Sequence, residues 1–129
     1  MQLAFVRAFL QSTTFLTVFH LQLPARVTFT SRHDIGEAFK GILLPNLQRL
    51  TLQMGCMSTQ DLLSICTRHV LCLRFLALLK VYSVMGTWTE MLPALKDILP
   101  RCTVIVEALS AGDGWWIENE IPYGKSVCI

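Results

Sequence analysis

The strongest constraint in this chain is a unit that recurs: a helix start signal, an amphipathic helix, then a short strand-forming run. Three stretches open it: Asp34-Ile35-Gly36-Glu37, Ser58-Thr59-Gln60-Asp61 and Thr87-Trp88-Thr89-Glu90. Each has the spacing of a capping box, in which the leading side-chain oxygen accepts from a free backbone N–H of the first helical turn. Behind the first box, Ile35, Ala38, Phe39, Ile42 and Leu43 recur at helical spacing as one buried stripe. That helix is expected to end at Leu44-Pro45, because a residue before proline is pushed out of the α region. Behind the second box, Leu62, Leu63, Cys66 and Val70 form the apolar face, with Ile65 on its flank. The third helix carries Met91, Leu92, Leu95, Ile98 and Leu99. Its Pro93 is placed to kink it or make it restart near Leu92.

A strand-forming run follows each helix: Leu47–Leu52, then Leu73 to about Leu79, then Cys102–Leu109 with its β-branched Val104-Ile105-Val106. Met54–Met57 reads as the turn after the first, and Tyr82–Gly86 leads from the second to the third capping box. The distance from cap to strand is 13, 15 and 15 residues, and the strands start 26 and 29 residues apart. That period lies at the upper end for leucine-rich repeats. An earlier unit is visible too. Leu3, Val6, Phe9 and Leu10 share a helical face, and Phe15–Leu23 is strand-like, with Leu16, Phe19 and Leu21 spaced like Leu47, Leu50 and Leu52. One such unit cannot bury its own apolar faces, so units must stack. The expected class is α/β: a short leucine-rich-repeat-like solenoid, parallel strands on one side and helices on the other. Residues 1–109 make about four irregular units, and 110–129 form a C-terminal cap or tail. There Trp115 or Trp116 covers the open end of the core, in preference to anchoring a partner.

Composition narrows the function classes. The chain of 129 residues is 53% hydrophobic, with mean hydropathy +0.50, which argues against disorder. Its net charge is only +2 and no Lys/Arg cluster stands out, so a nucleic-acid footprint is not expected. Five cysteines, an odd count without a CxxC pair, suit free thiols in a reducing compartment, hence an intracellular, cytoplasmic or nuclear location. Polar residues Gln11–Thr14 interrupt the apolar N-terminus, so neither a signal peptide nor a membrane span is expected.

The run LPNLQRLTL, a capped helix, LRFLALLKV and then GTWTEMLPALKDILP resembles the leucine-rich-repeat regions of F-box-type proteins, particularly fungal ones. The resemblance covers approximately Ile35 to Leu109. In that family an F-box helix bundle docks on a ubiquitin-ligase adaptor and the repeats recognise a substrate. No F-box is recognisable in this chain, so the resemblance implies the role of the repeats: non-enzymatic protein–protein recognition, without cofactor.

The candidate recognition residues follow from strand alternation. If the leucines point into the core, their neighbours point out. On a concave strand face these are Val18, His20 and Gln22, then Arg49, Thr51 and Gln53, then Phe75, Ala77 and Leu79. A protein of unknown identity is the expected partner. One alternative is a thiol- or metal-dependent enzyme centred on Cys66, His69 and Cys72, a C-x-x-H-x-x-C string whose residue types suit zinc but which lacks an evident fourth ligand. The bland account is two core thiols and a helix-end histidine, and no metal is expected. Another alternative is a truncated product without independent function. Gly124-Lys125-Ser126 imitates the end of a phosphate-binding loop but has Asn119 where the motif needs glycine, so it is rejected. No catalytic residues are assigned, since no base pairs with a nucleophile by local spacing.

Overall fold

The computed structural model describes residues 2–23, 35–107, 109–111, 114–115 and 127–128. Helices and strands alternate: α1 (Gln2–Ser12), β1 (Val18–Gln22), α2 (Ile35–Phe39), β2 (Arg49–Ser58), α3 (Thr59–Arg68), β3 (Phe75–Met85), α4 (Trp88–Ile98) and β4 (Thr103–Glu107). Three two-residue strands follow, β5 (Ser110–Ala111), β6 (Gly114–Trp115) and β7 (Val127–Cys128). Strands β1 to β4 lie side by side in sequence order, all parallel, and β7 joins β4 antiparallel. The second half of β3 pairs with β5, which turns back onto β6. The class is therefore α/β. Within the expected C-terminal cap, the Trp115 side chain, Trp116 and Gly124–Ser126 lie outside the described residues.

Parallel register explains why the leucines recur. Leu50 stands beside Leu76, Leu52 beside Leu78, and Val104 and Val106 continue the two rows. Leu21 begins the second row, and the half-buried Phe19 begins the first. Burying each leucine contributes about 1.5–3 kcal/mol. Helix residues Ile35, Phe39, Leu62, Ile65, Met91 and Leu95 complete the same cluster. The helices pack in order, α1 on α2, α2 on α3 and α3 on α4. Phe9 stacks on Phe19, which meets Phe39 edge-on, with ring centroids 6.1 and 6.0 Å apart.

Two of the capping signals act as expected. Ser58 Oγ accepts from the Asp61 N–H at 3.1 Å, and Thr87 Oγ1 from the Glu90 N–H at 3.4 Å. Asp34 lies outside the described residues. Helix α4 runs through Pro93 as one element rather than restarting. In α3 the apolar face is rotated from the expected one: Ile65 is buried, whereas Val70 lies beyond the helix and is exposed.

Helix α2 is shorter than its stripe implies. It stops at Phe39 instead of reaching Leu44, and Leu43 is 52% exposed. The cause is Gly41, whose φ of +73° turns the chain out of the helix four residues before the proline. Five residues leave the terminal carbonyls without helical partners. Two arginines supply them. Arg7 from α1 donates to the carbonyls of Glu37 and Lys40, at 3.2 and 2.6 Å. Arg68 from α3 donates to those of Phe39 and Ile42, at 3.0 and 2.8 Å.

The expected turn after the Leu47–Leu52 run is strand, and β3 likewise runs past its expected end near Leu79. Met54–Met57 belongs to β2, and Tyr82–Met85 belongs to β3. What resembled a turn is a matched kink. Met54 has φ +64° and Lys80 φ +56°, and the register places them opposite one another, between Gln53↔Leu79 and Gly55↔Val81. A left-handed residue in a strand shifts the alternation of side chains. In β3, Leu76 and Leu78 are buried before it, and Val81 and Ser83 after it, while Lys80 itself is exposed. Ser83 is tolerated in the core because its hydroxyl reaches the carbonyls of Met85 and Gly86. Gly55 completes the kink at φ +118°, where a Cβ would stand 2.7 Å from Leu23 Cδ1.

The two glycines should therefore respond differently to alanine. Gly41→Ala meets open space, so only the left-handed backbone is penalised, by about 1–2 kcal/mol. Gly55→Ala adds a clash to a conformation that is essentially glycine-only, and is expected to lose about 2–4 kcal/mol. Urea unfolding midpoints of the two variants measure the difference. Equal losses would mean that the kink does not constrain Gly55.

Candidate functional site

The nine residues taken from strand alternation fall into three rows across the sheet. Val18, Arg49 and Phe75 share the first, His20, Thr51 and Ala77 the second, and Gln22, Gln53 and Leu79 the third. The rows continue into β4 as Thr103, Ile105 and Glu107, which extend the face by one strand. Those three were legible in principle, since the Val104-Ile105-Val106 run and its alternation imply them. Val18, His20, Gln22 and Arg49 are exposed, and Thr51, Gln53, Phe75 and Leu79 are half-buried. Ala77 departs from the expectation of a surface contact: it is only 5% exposed. Its methyl group lies in a central strand between larger neighbours and stands too short to reach the surface.

Two contacts order this face. The Arg49 guanidinium lies over the Phe75 ring, 4.4 Å from its centroid. Such a pair contributes about 0.5–1 kcal/mol at an exposed site. It also links β2 to β3 across this face. One row further on, His20 Nε2 meets Gln53 Oε1 at 3.2 Å, bridging β1 and β2 on the diagonal. The face is mixed in character: polar over β1 and β2, apolar over β3.

The Cys66, His69 and Cys72 string occupies the end of α3 and the turn into β3. His69 is 1% exposed, and both of its ring nitrogens are committed. Nδ1–H donates to the Ile65 carbonyl at 2.7 Å, and Nε2 accepts the Leu44 N–H at 3.1 Å. These partners define the neutral Nδ1–H tautomer and leave no lone pair for a metal. Burial, chiefly, holds the His69 pKa below its ordinary 6.5, with the Arg68 charge acting in the same direction and the bond to Ile65 opposing. Burial also pushes the Cys66 thiol up to about 12, assisted by Cys102 nearby, so a thiolate nucleophile is disfavoured there. Cys72 is half-buried, and its thiol faces the carbonyls of Leu44 and His69. Among the described residues no group of three or more His, Cys, Asp or Glu is placed to hold a metal ion. His69 is thus a structural tie: it fastens the end of α3 to the α2–β2 connection. Sequence spacing cannot show this, because Leu44 lies 25 residues away.

Among the described residues no helix is long and apolar enough to cross a membrane. Comparison with protein-family models, with curated proteins and with solved structures finds no match to this chain.

The His69 tie has a pH signature. A histidine whose folded pKa is depressed is neutral in the fold but takes up a proton on unfolding as pH drops below about 6.5. Its contribution is complete above that pH and is lost below it, with a slope of at most about 1.4 kcal/mol per pH unit. Protonation would set an Nε2–H against the Leu44 N–H. His69→Gln is expected to be less stable at pH 7.5 by about 1–3 kcal/mol, and to lose less than the wild-type chain between pH 7 and 5.5. Parallel urea titrations at several pH values test this. An unchanged pH slope in the variant would show that His69 does not carry it.

Proposed function

We propose that this chain is a short leucine-rich-repeat-type solenoid whose strand face binds another protein. The observation that carries the reading is the register: side chains 26 to 31 residues apart in sequence stand in line across four parallel strands, free of the helical layer. Stacked helix–strand units commonly use such an extended strand face for recognition. The capped helices, the leucine rows and the kink shared by β2 and β3 all support a repeating unit. The Arg49–Phe75 pair is its best anchor, since arginine and aromatic residues are enriched at binding hot spots. The rhythm shared with the repeat regions of F-box-type proteins suggests a substrate-recognition role, with the adaptor-binding part supplied from elsewhere. The commitment of both His69 nitrogens and the burial of Cys66 weigh against the thiol- or metal-dependent alternative.

The test is affinity purification and mass spectrometry with the intact chain and with an Arg49→Glu/Phe75→Ala variant. Arg49 is exposed and Phe75 half-buried on the strand face, so circular dichroism should stay native while stability falls by about 1–2 kcal/mol. Proteins recovered with the wild-type chain should be lost with the variant, a hot-spot penalty of about 2 kcal/mol or more. Full retention of every partner would remove the strand face as the binding surface. Collapse of the fold would place Arg49 and Phe75 in the core.

A further inference from the structure

On the edge of the sheet where helices end and strands begin lies a second surface, separate from the strand face. The turn after α3 and the turn after α4 enclose a cavity of about 280 Å³. Its floor is apolar, formed by Leu73, Leu99 and Cys102, which are 1–8% exposed. Two arginines, Arg74 and Arg101, line it and are exposed. Beside them stand Val70 and Leu71, the latter 88% exposed, the most exposed large apolar side chain among the described residues.

The arginines here differ from the two that serve the end of α2. Arg7 and Arg68 spend their donors on the carbonyls of α2. The carbonyls that end α3 and α4 are instead met by backbone N–H groups: Leu73 and Cys72 donate to His69, and Cys102 donates to Leu99. Among the described residues the Arg74 side chain makes one hydrogen bond, to the adjacent Leu73 carbonyl. Among the described residues Arg101 makes no hydrogen bond or ion pair, and no carboxylate faces either guanidinium. Among the described residues, therefore, nothing compensates the two positive charges that this site presents over an apolar floor, with an exposed leucine at its side.

We infer that this cavity docks an acidic, apolar peptide segment of a partner protein, one bulky apolar side chain entering between the two turns and flanking carboxylates meeting Arg74 and Arg101. The charge balance selects the chemistry. A neutral apolar segment leaves both arginines unanswered, and a basic one is repelled. The apolar patch continues past the cavity onto Leu71, which a polypeptide covers and a small anion does not.

The test passes a pool of ten-residue peptides built from Asp, Glu, Leu, Phe, Ser and Gly over the immobilised full chain. Parallel pools have Lys for every acid, or Ser for every Leu and Phe. Enrichment of the acidic, apolar pool alone is expected, with amide chemical-shift changes over Val70–Arg74 and Leu99–Cys102. Arg74→Glu/Arg101→Glu should weaken the enriched peptides by roughly tenfold or more and favour the Lys pool. Both sites are exposed, so the fold should survive, and Leu71→Ser gives an independent second loss. Arg49→Glu/Phe75→Ala should bind the peptides as the wild-type chain does, which separates this surface from the strand face. No enrichment, equal retention of the acidic and Lys pools, or shift changes confined to the strand face would overturn the inference. So would decanoate alone reproducing the shifts while no peptide is retained.

Discussion

Everything described here depends on the parallel ladder between β2 and β3. It is the longest pairing in the sheet, from Arg49↔Phe75 to Ser58↔Met85. A parallel pair cannot be closed by a hairpin; the chain must cross back, and here α3 does so. The ladder aligns Leu50 with Leu76 and Leu52 with Leu78, giving the helices a continuous apolar floor. On the opposite face it brings Arg49 onto Phe75. Core and candidate surface are thus two products of one register, and neither can shift without the other.

Helix ends are the second organising problem. Each crossover ends a helix close to the sheet, where unmatched carbonyls are costly. Different solutions appear along the chain. The ends of α3 and α4 are met by backbone N–H groups of the following turn. Helix α2 is too short for that and borrows Arg7 and Arg68 from its two neighbours. His69 adds a third link, across to Leu44. The least regular helix is consequently the most heavily cross-tied. Successive units are joined by directed polar bonds as well as by apolar contact.

The elements with strong local chemistry were legible in the sequence. The caps of α3 and α4 and the rows of leucines are encoded within a few residues, and their period implied a parallel order. Glycine was misread twice. Met54-Gly55 suggested a turn because a left-handed residue pair usually makes one; here the neighbouring strand bends at the same height and keeps the pairing intact. Gly41 ended α2 ahead of Pro45, although the apolar stripe continued to Leu43. For the candidate face, alternation separates the nine residues from the buried leucine rows, but a small residue such as Ala77 can point outward and remain covered. The ties made by Arg7, Arg68 and His69 join residues 25 to 33 positions apart, and no local pattern announces them.

The kink shared by Met54 and Lys80 works as a key in a lock. Straight parallel strands can slide past one another by two residues and still match in polarity. Two strands that bend at the same height cannot, because a slip of any size would set one bend against a straight segment. Length changes in this chain are therefore tolerable in the turns that join helix to strand, but not between Leu50 and Met57 or between Leu76 and Ser83. Within those windows the chain keeps count, and the two strands must gain or lose residues together.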